Sequence, residues 1–148
     1  MFYKFVLLIV STLAILVAVT SANADQAAEA KSMVEKAVAM VKEKGLDSTL
    51  KAINDLKGPF VKGDLYVFAM SLDNINLATG SPNNKPILGK MLKGAFAEKM
   101  LKIVKTKGSG WVEYTWAKPG EKDLSAKRSF FMRVPGENAY FGCGYYLK

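Results

Sequence analysis

Apolar residues recur at helical spacing through the first part of the chain, and then that period is lost. From Gln26 to Lys44, the residues Ala30, Met33, Val34, Ala37, Val38 and Val41 fall on one side of a helix, and Lys42 and Lys44 lead into Gly45 as its C-cap. A shorter helix follows, with Asp47 or Ser48 as N-cap, Leu50, Ile53 and Leu56 as its stripe, and Gly58-Pro59 as its stop. From Asp64 the texture changes. "DLYVFAMSL" is dense in aromatic and β-branched residues, "DNIN" reads as a hairpin turn, and "LAT" starts a return strand. "GSPNNKPILGK" reads as a loop. Phe96, Met100, Ile103 and Val104 mark a third helix that Gly108 ends, and three strands close the chain at 110–117, 127–134 and 139–147. This order predicts an α+β domain in which a long N-terminal helix packs on a five-stranded antiparallel sheet.

The stretch before that helix has a different purpose. "MFYKFVLLIVSTLAILVAVTSANA" carries one cation, Lys4, then an apolar run to Val19, then small residues ending Ala22-Asn23-Ala24. That is the layout of a secretory signal peptide with an A-x-A cleavage site, and its apolar run is shorter than the roughly 20 residues of a spanning helix. Residues 1–24 are therefore expected to be a cleaved leader and 25–148 one domain. The mature protein is expected to be periplasmic or secreted, with no stable membrane span.

Composition narrows the chemistry. The chain has no histidine and one cysteine, Cys143, so no Ser-His-Asp or Cys-His nucleophile pair, histidine metal site or thiolate cluster can be built. No enzyme, metal or cofactor is expected. Flanked by glycines in "FGCGYY", Cys143 reads as a small buried strand residue. The formal charge of +8 favours anionic partners. Its cations are scattered, with no run that would mark a nucleic-acid arm, and no nucleic-acid partner is expected.

A binding module remains, and "GSGWVEYTW" bears on it. On a strand, Val112, Tyr114 and Trp116 share one face, while Trp111, Glu113 and Thr115 share the other. The two tryptophans point apart. One face must pack on the long helix, so at most one set can line a cavity, and an all-core reading of the aromatics stays open.

Taken in order, "GPFVKGDLYVFAMSLD", "NINLATGSPNNKPILGKML", "KGSGWVEYTWAKPGEK", "KRSFFMRVPG" and "YFGCGYYL" resemble the single Cache domain family, extracellular relatives of the PAS fold. The resemblance covers 25–148. It implies a small-molecule pocket between the sheet face away from the long helix and the loop and helix after the first hairpin, in domains that sense small molecules, often short carboxylates, for chemoreceptors or histidine kinases. Carried over residue by residue, it implies Tyr66, Phe68, Met91, Trp111, Tyr114, Trp116, Lys127 and Phe130 as ligand-binding positions. Three departures stand out. Phe130 replaces the usual tyrosine, "LATGSP" lacks the usual histidine, and "KMLKGAFAEKM" lacks an Asp-x-x-Gly insertion, which shortens the lid. The expected function is an exported binding domain for a small organic anion, presented to a separate membrane receptor or kinase. The alternative is a non-catalytic interaction protein that docks to an anionic envelope component through its basic surface.

Overall fold

The computed structural model describes the backbone of residues 2–148 and the side-chain surroundings from Ser21 onward. Helix α1 runs Phe2–Lys44, α2 Leu46–Asn54 and α3 Ala95–Lys107. The strands are β1 Val61–Lys62, β2 Leu65–Met70, β3 Asn76–Thr79, β4 Ser109–Ala117, β5 Leu124–Arg133 and β6 Tyr140–Tyr146. All strand pairs are antiparallel, in the order β1-β2-β6-β5-β4, with β3 beside β2 on the edge it shares with β1. The sheet has six strands, not the expected five. The addition is β1, a two-residue strand that folds back on Leu65 and Tyr66 through Gly63, whose φ of +60° suits the first central position of a tight hairpin. Two residues are too few to show a period.

The helix boundaries also shift. The backbone of α1 is helical well before Gln26, through the stretch read as a leader. Gly45, with φ +83°, ends α1 and is also the N-cap of α2, so Asp47 lies in the first turn rather than capping. Thr49 Oγ1 donates back to the Gly45 carbonyl at 2.9 Å. The predicted C-cap of α3 stands: Gly108 is left-handed, and its N–H reaches the Ile103 and Val104 carbonyls.

The sheet separates two apolar layers. On one side α1 buries Ala30, Met33, Val34, Ala37 and Val41 against Val67, Phe130, Phe141 and Cys143. On the other, α3 lays Met100 and Val104 over Met70, Val112, Phe131 and Tyr140. Adjacent strand residues such as Phe130 and Phe131 therefore serve different layers, as the pleat requires. The expected loop after β3 holds a 3-10 turn at Pro82–Ile87, which closes one end of the α3 layer.

Candidate binding site

The α3 side of the sheet holds a half-open cavity of about 30 Å³, and strand register determines what reaches it. Tyr114 of β4 pairs with Lys127 of β5, which pairs with Tyr146 of β6, so the three side chains form a row on one face. Phe68 of β2 pairs with Gly142, and a Cβ at Gly142 would collide with the Phe68 ring. At Gly144 a Cβ would collide with Ser129 Oγ and Lys127 Cε. The two glycines of "FGCGYY" are thus notches that let Phe68 and Lys127 lie across β6. Cys143, between them, points into the opposite, α1 layer.

Lys127 is the charged group of this cavity and is only 1% exposed. Its Nζ donates to Tyr66 Oη at 3.0 Å and lies 4.2 Å from the centroid of the Tyr66 ring, with the rings of Tyr146, Phe68 and Tyr114 at 5.4, 5.7 and 5.9 Å. None of the ion pairs among the described residues includes it. Burial works against the charge, the phenol oxygens of Tyr114, Tyr66 and Tyr146 work for it, and the balance holds the ammonium above the usual lysine range. Among the described residues, Tyr66 Oη is the one acceptor that its three N–H groups meet at hydrogen-bond geometry. Burial pushes the Tyr114 phenol up, against the opposing pull of Lys127, and its oxygen bonds Ser129 Oγ at 2.9 Å.

The apolar wall is mainly aromatic. Phe96 of α3 stacks on Tyr114 at 4.8 Å and meets Trp116 edge-on at 5.9 Å, while Met70 and Met100 fill the floor. Trp116 Nε1 donates to Asn84 Oδ1, and Asn84 Nδ2 donates to Tyr66 Oη, both at 3.2 Å. Among the described residues no carboxylate side chain lines the cavity. Among the described residues no group of acids and cysteine could hold a metal ion.

Of the eight positions implied by the resemblance, Tyr66, Phe68, Tyr114, Trp116 and Lys127 meet in this cavity. Three do not. Trp111 pairs with Phe130 across β4 and β5, and both point to the α1 side, where Trp111 packs on Phe130, Tyr145 and the Arg128 guanidinium. The parity of β5 excludes Phe130 from any face that holds Lys127. Met91 bridges to Ile75 and is 55% exposed, outside the cavity wall. Conversely, Asn76, Thr79, Asn84 and Leu92 line the cavity from β3 and the loop that follows, and Phe96 and Met100 from α3. Phe96 and Met100 were visible as a helix stripe; the loop residues carry no periodic signal.

A helix-backed antiparallel sheet whose free face closes, with a loop and a short helix, over a small aromatic cavity is a PAS-like sensor architecture. This chain belongs to the Cache domain family, whose sequence model matches residues 18–148. Among solved structures it is similar to the periplasmic sensor domain of a chemotaxis protein, at 21% identity and TM-score 0.66, covering 87% of this chain and 97% of that one. It is similar to a methyl-accepting chemotaxis protein from Vibrio parahaemolyticus RIMD 2210633, at 17% identity and TM-score 0.67, covering 81% and 87%. A Cache chemosensory domain described for carboxylic acid recognition matches at 19% identity and TM-score 0.62, covering 91% and 97%. No curated protein sequence matches the chain. No helix among the described residues is long and apolar enough to cross a membrane.

Proposed function

We propose that this chain is an exported, non-catalytic binding domain for a small monocarboxylate, which it presents to a separate membrane receptor or kinase. The observation that carries the reading is Lys127: a buried ammonium with spare donors, aromatic walls, and no protein carboxylate beside it. A buried charge is costly until an opposite charge meets it, and a ligand carboxylate is the missing partner. The lining also narrows the class. With one cation and no acid in the wall, the ammonium of an amino acid or a second carboxylate would be buried unpaired. The space suits a few heavy atoms, such as acetate, and a four-atom ligand at the efficiency ceiling of about −1.5 kcal/mol per atom binds no tighter than tens of micromolar.

Titration calorimetry with acetate, glycine, succinate and methylamine tests this. Acetate is expected to bind best, and Lys127→Met to weaken it roughly 10- to 150-fold, the worth of one charge-assisted hydrogen bond, with folding intact. Equal affinity for acetate in the variant overturns the reading.

A second reading rests on α3 and the turn before it. Residues 90–107 hold Lys90, Lys93, Lys99, Lys102, Lys105 and Lys107 against Glu98 alone, which is five of the eight net charges of the chain. These lysines are exposed, and the ion pairs among the described residues include none of them. Such a face suits an anionic envelope component. Under that reading acetate does not bind, and charge reversal at Lys102 and Lys105 abolishes docking.

A further inference from the structure

We infer that Asn84 sets the hydrogen-bonding polarity of the cavity, and so is the residue that makes the site accept a carboxylate and refuse its isosteric amide. The inference rests on the monocarboxylate reading and names the discriminating residue within that site.

An indole nitrogen can only donate, so the Asn84 atom facing Trp116 Nε1 must be the carbonyl oxygen. The other end of the same amide is then an NH₂ group, and it faces Tyr66 Oη. The Lys127 ammonium, also donor-only, approaches that same oxygen at 3.0 Å. Both lone pairs of the Tyr66 oxygen are filled, one by Asn84 and one by Lys127. The phenol can accept nothing more, and its own hydrogen can only be given.

Where Tyr66 and Lys127 meet, the cavity wall therefore offers donors: the spare N–H groups of Lys127 and the Tyr66 hydroxyl. A carboxylate has only acceptors to place there. An amide of the same shape brings an NH₂ that finds no acceptor on Tyr66 or Lys127, and a buried donor left unpaired is costly. Trp116 fixes Asn84, Asn84 fixes Tyr66, and Tyr66 with Lys127 meets the ligand. In Asn84→Asp the indole bond survives, but the second oxygen now accepts from the Tyr66 hydroxyl. One lone pair of Tyr66 becomes free, and the new carboxylate lies two hydrogen bonds from Lys127.

The test is calorimetry on the full chain with acetate and acetamide, in wild type, Asn84→Asp and Asn84→Ala, with thermal melts to confirm folding. The wild type is expected to prefer acetate, Asn84→Asp to reduce the acetate-to-acetamide ratio at least tenfold, and Asn84→Ala to reduce it several-fold by freeing the same lone pair. Should the aspartate variant not fold, the alanine variant decides. A wild type that binds acetate, with an unchanged ratio in the folded variants, overturns this inference and leaves the monocarboxylate reading standing. A wild type that binds neither probe overturns both.

Discussion

At the scale of single residues, the balance around Lys127 gives the protein a defined pH response. The fold favours the charged ammonium, so its contribution to stability is fully present below the unfolded lysine value of about 10.4, and is lost as pH rises through the higher folded value. Tyr114 acts in the same window: burial keeps its phenol protonated in the fold, while the unfolded chain begins to ionise near pH 10. The melting temperature is therefore expected to stay level between about pH 6 and 9 and to fall above about pH 10, while acetate affinity, which follows the folded-state ammonium, holds to higher pH than the stability does. A melting midpoint that drops between pH 7 and 9 contradicts this account. The tryptophans give a second residue-scale result, because alternation on β4 sends them to different layers. Trp111→Ala removes half-buried packing on Phe130 and Tyr145 and should cost about 3 kcal/mol, the low end for a core tryptophan. Trp116→Ala should cost less stability in urea titrations and more acetate affinity, since Trp116 holds Asn84 in place. That division was legible in the sequence, from the odd and even positions of "GWVEYTW". The same parity separates Lys127 from Phe130, and it outweighs a resemblance that placed both in one pocket. The burial of Lys127 was not legible, since a lysine at a strand start is ordinarily solvated.

At the scale of elements, β6 decides how much space the α3 layer contains. Its sequence read as a strand with a small buried cysteine, which is what Cys143 is, but the purpose of the flanking glycines appears only once register places Gly142 against Phe68 and Gly144 beside Lys127. A methyl group at either site must push a large side chain aside, and overpacking of this kind costs roughly 1–3 kcal/mol. Gly144→Ala is expected to weaken acetate binding as well, because the Lys127 stem is displaced together with the Ser129 hydroxyl. Gly142→Ala moves the Phe68 ring and should affect stability first. Urea unfolding with calorimetry separates the two, and unchanged values for both variants would show that β6 yields at no cost. The 3-10 turn is the other decisive element, and its sequence shows only a loop. Asn83 ties it to the β4–β5 connection through the Lys118 and Glu121 carbonyls, and Lys85 Nζ ties it to the Asn54 carbonyl at the end of α2. Between them, Asn84 is held at the cavity. These contacts join residues 31 to 38 positions apart, so no local pattern could announce them.

At the scale of the whole molecule, the helix that opens the chain runs through both stretches that the sequence divides at Ala24. The backbone of α1 is continuous from Phe2 to Lys44, and the family match begins at residue 18, inside the stretch read as a leader. Among the described residues, the packing of α1 on the sheet begins at Ala27, and the buried residues of the helix run from Ala30 to Val41. A cut after Ala24 therefore leaves the described α1 core in place and removes one cation and no acid, so the charge stays strongly positive. We predict that protein recovered from the envelope fraction begins at Asp25, as read by intact mass, and that a chain expressed from Asp25 unfolds at the same urea midpoint as the full chain. Two results would count against this differently. An intact amino terminus held in the membrane fraction would make residues 1–24 an anchor rather than a leader, with the binding domain tethered beside its partner. A lower midpoint for the shortened chain would mean that turns of α1 before Ala27 stabilise the domain beyond the buried face of the described residues.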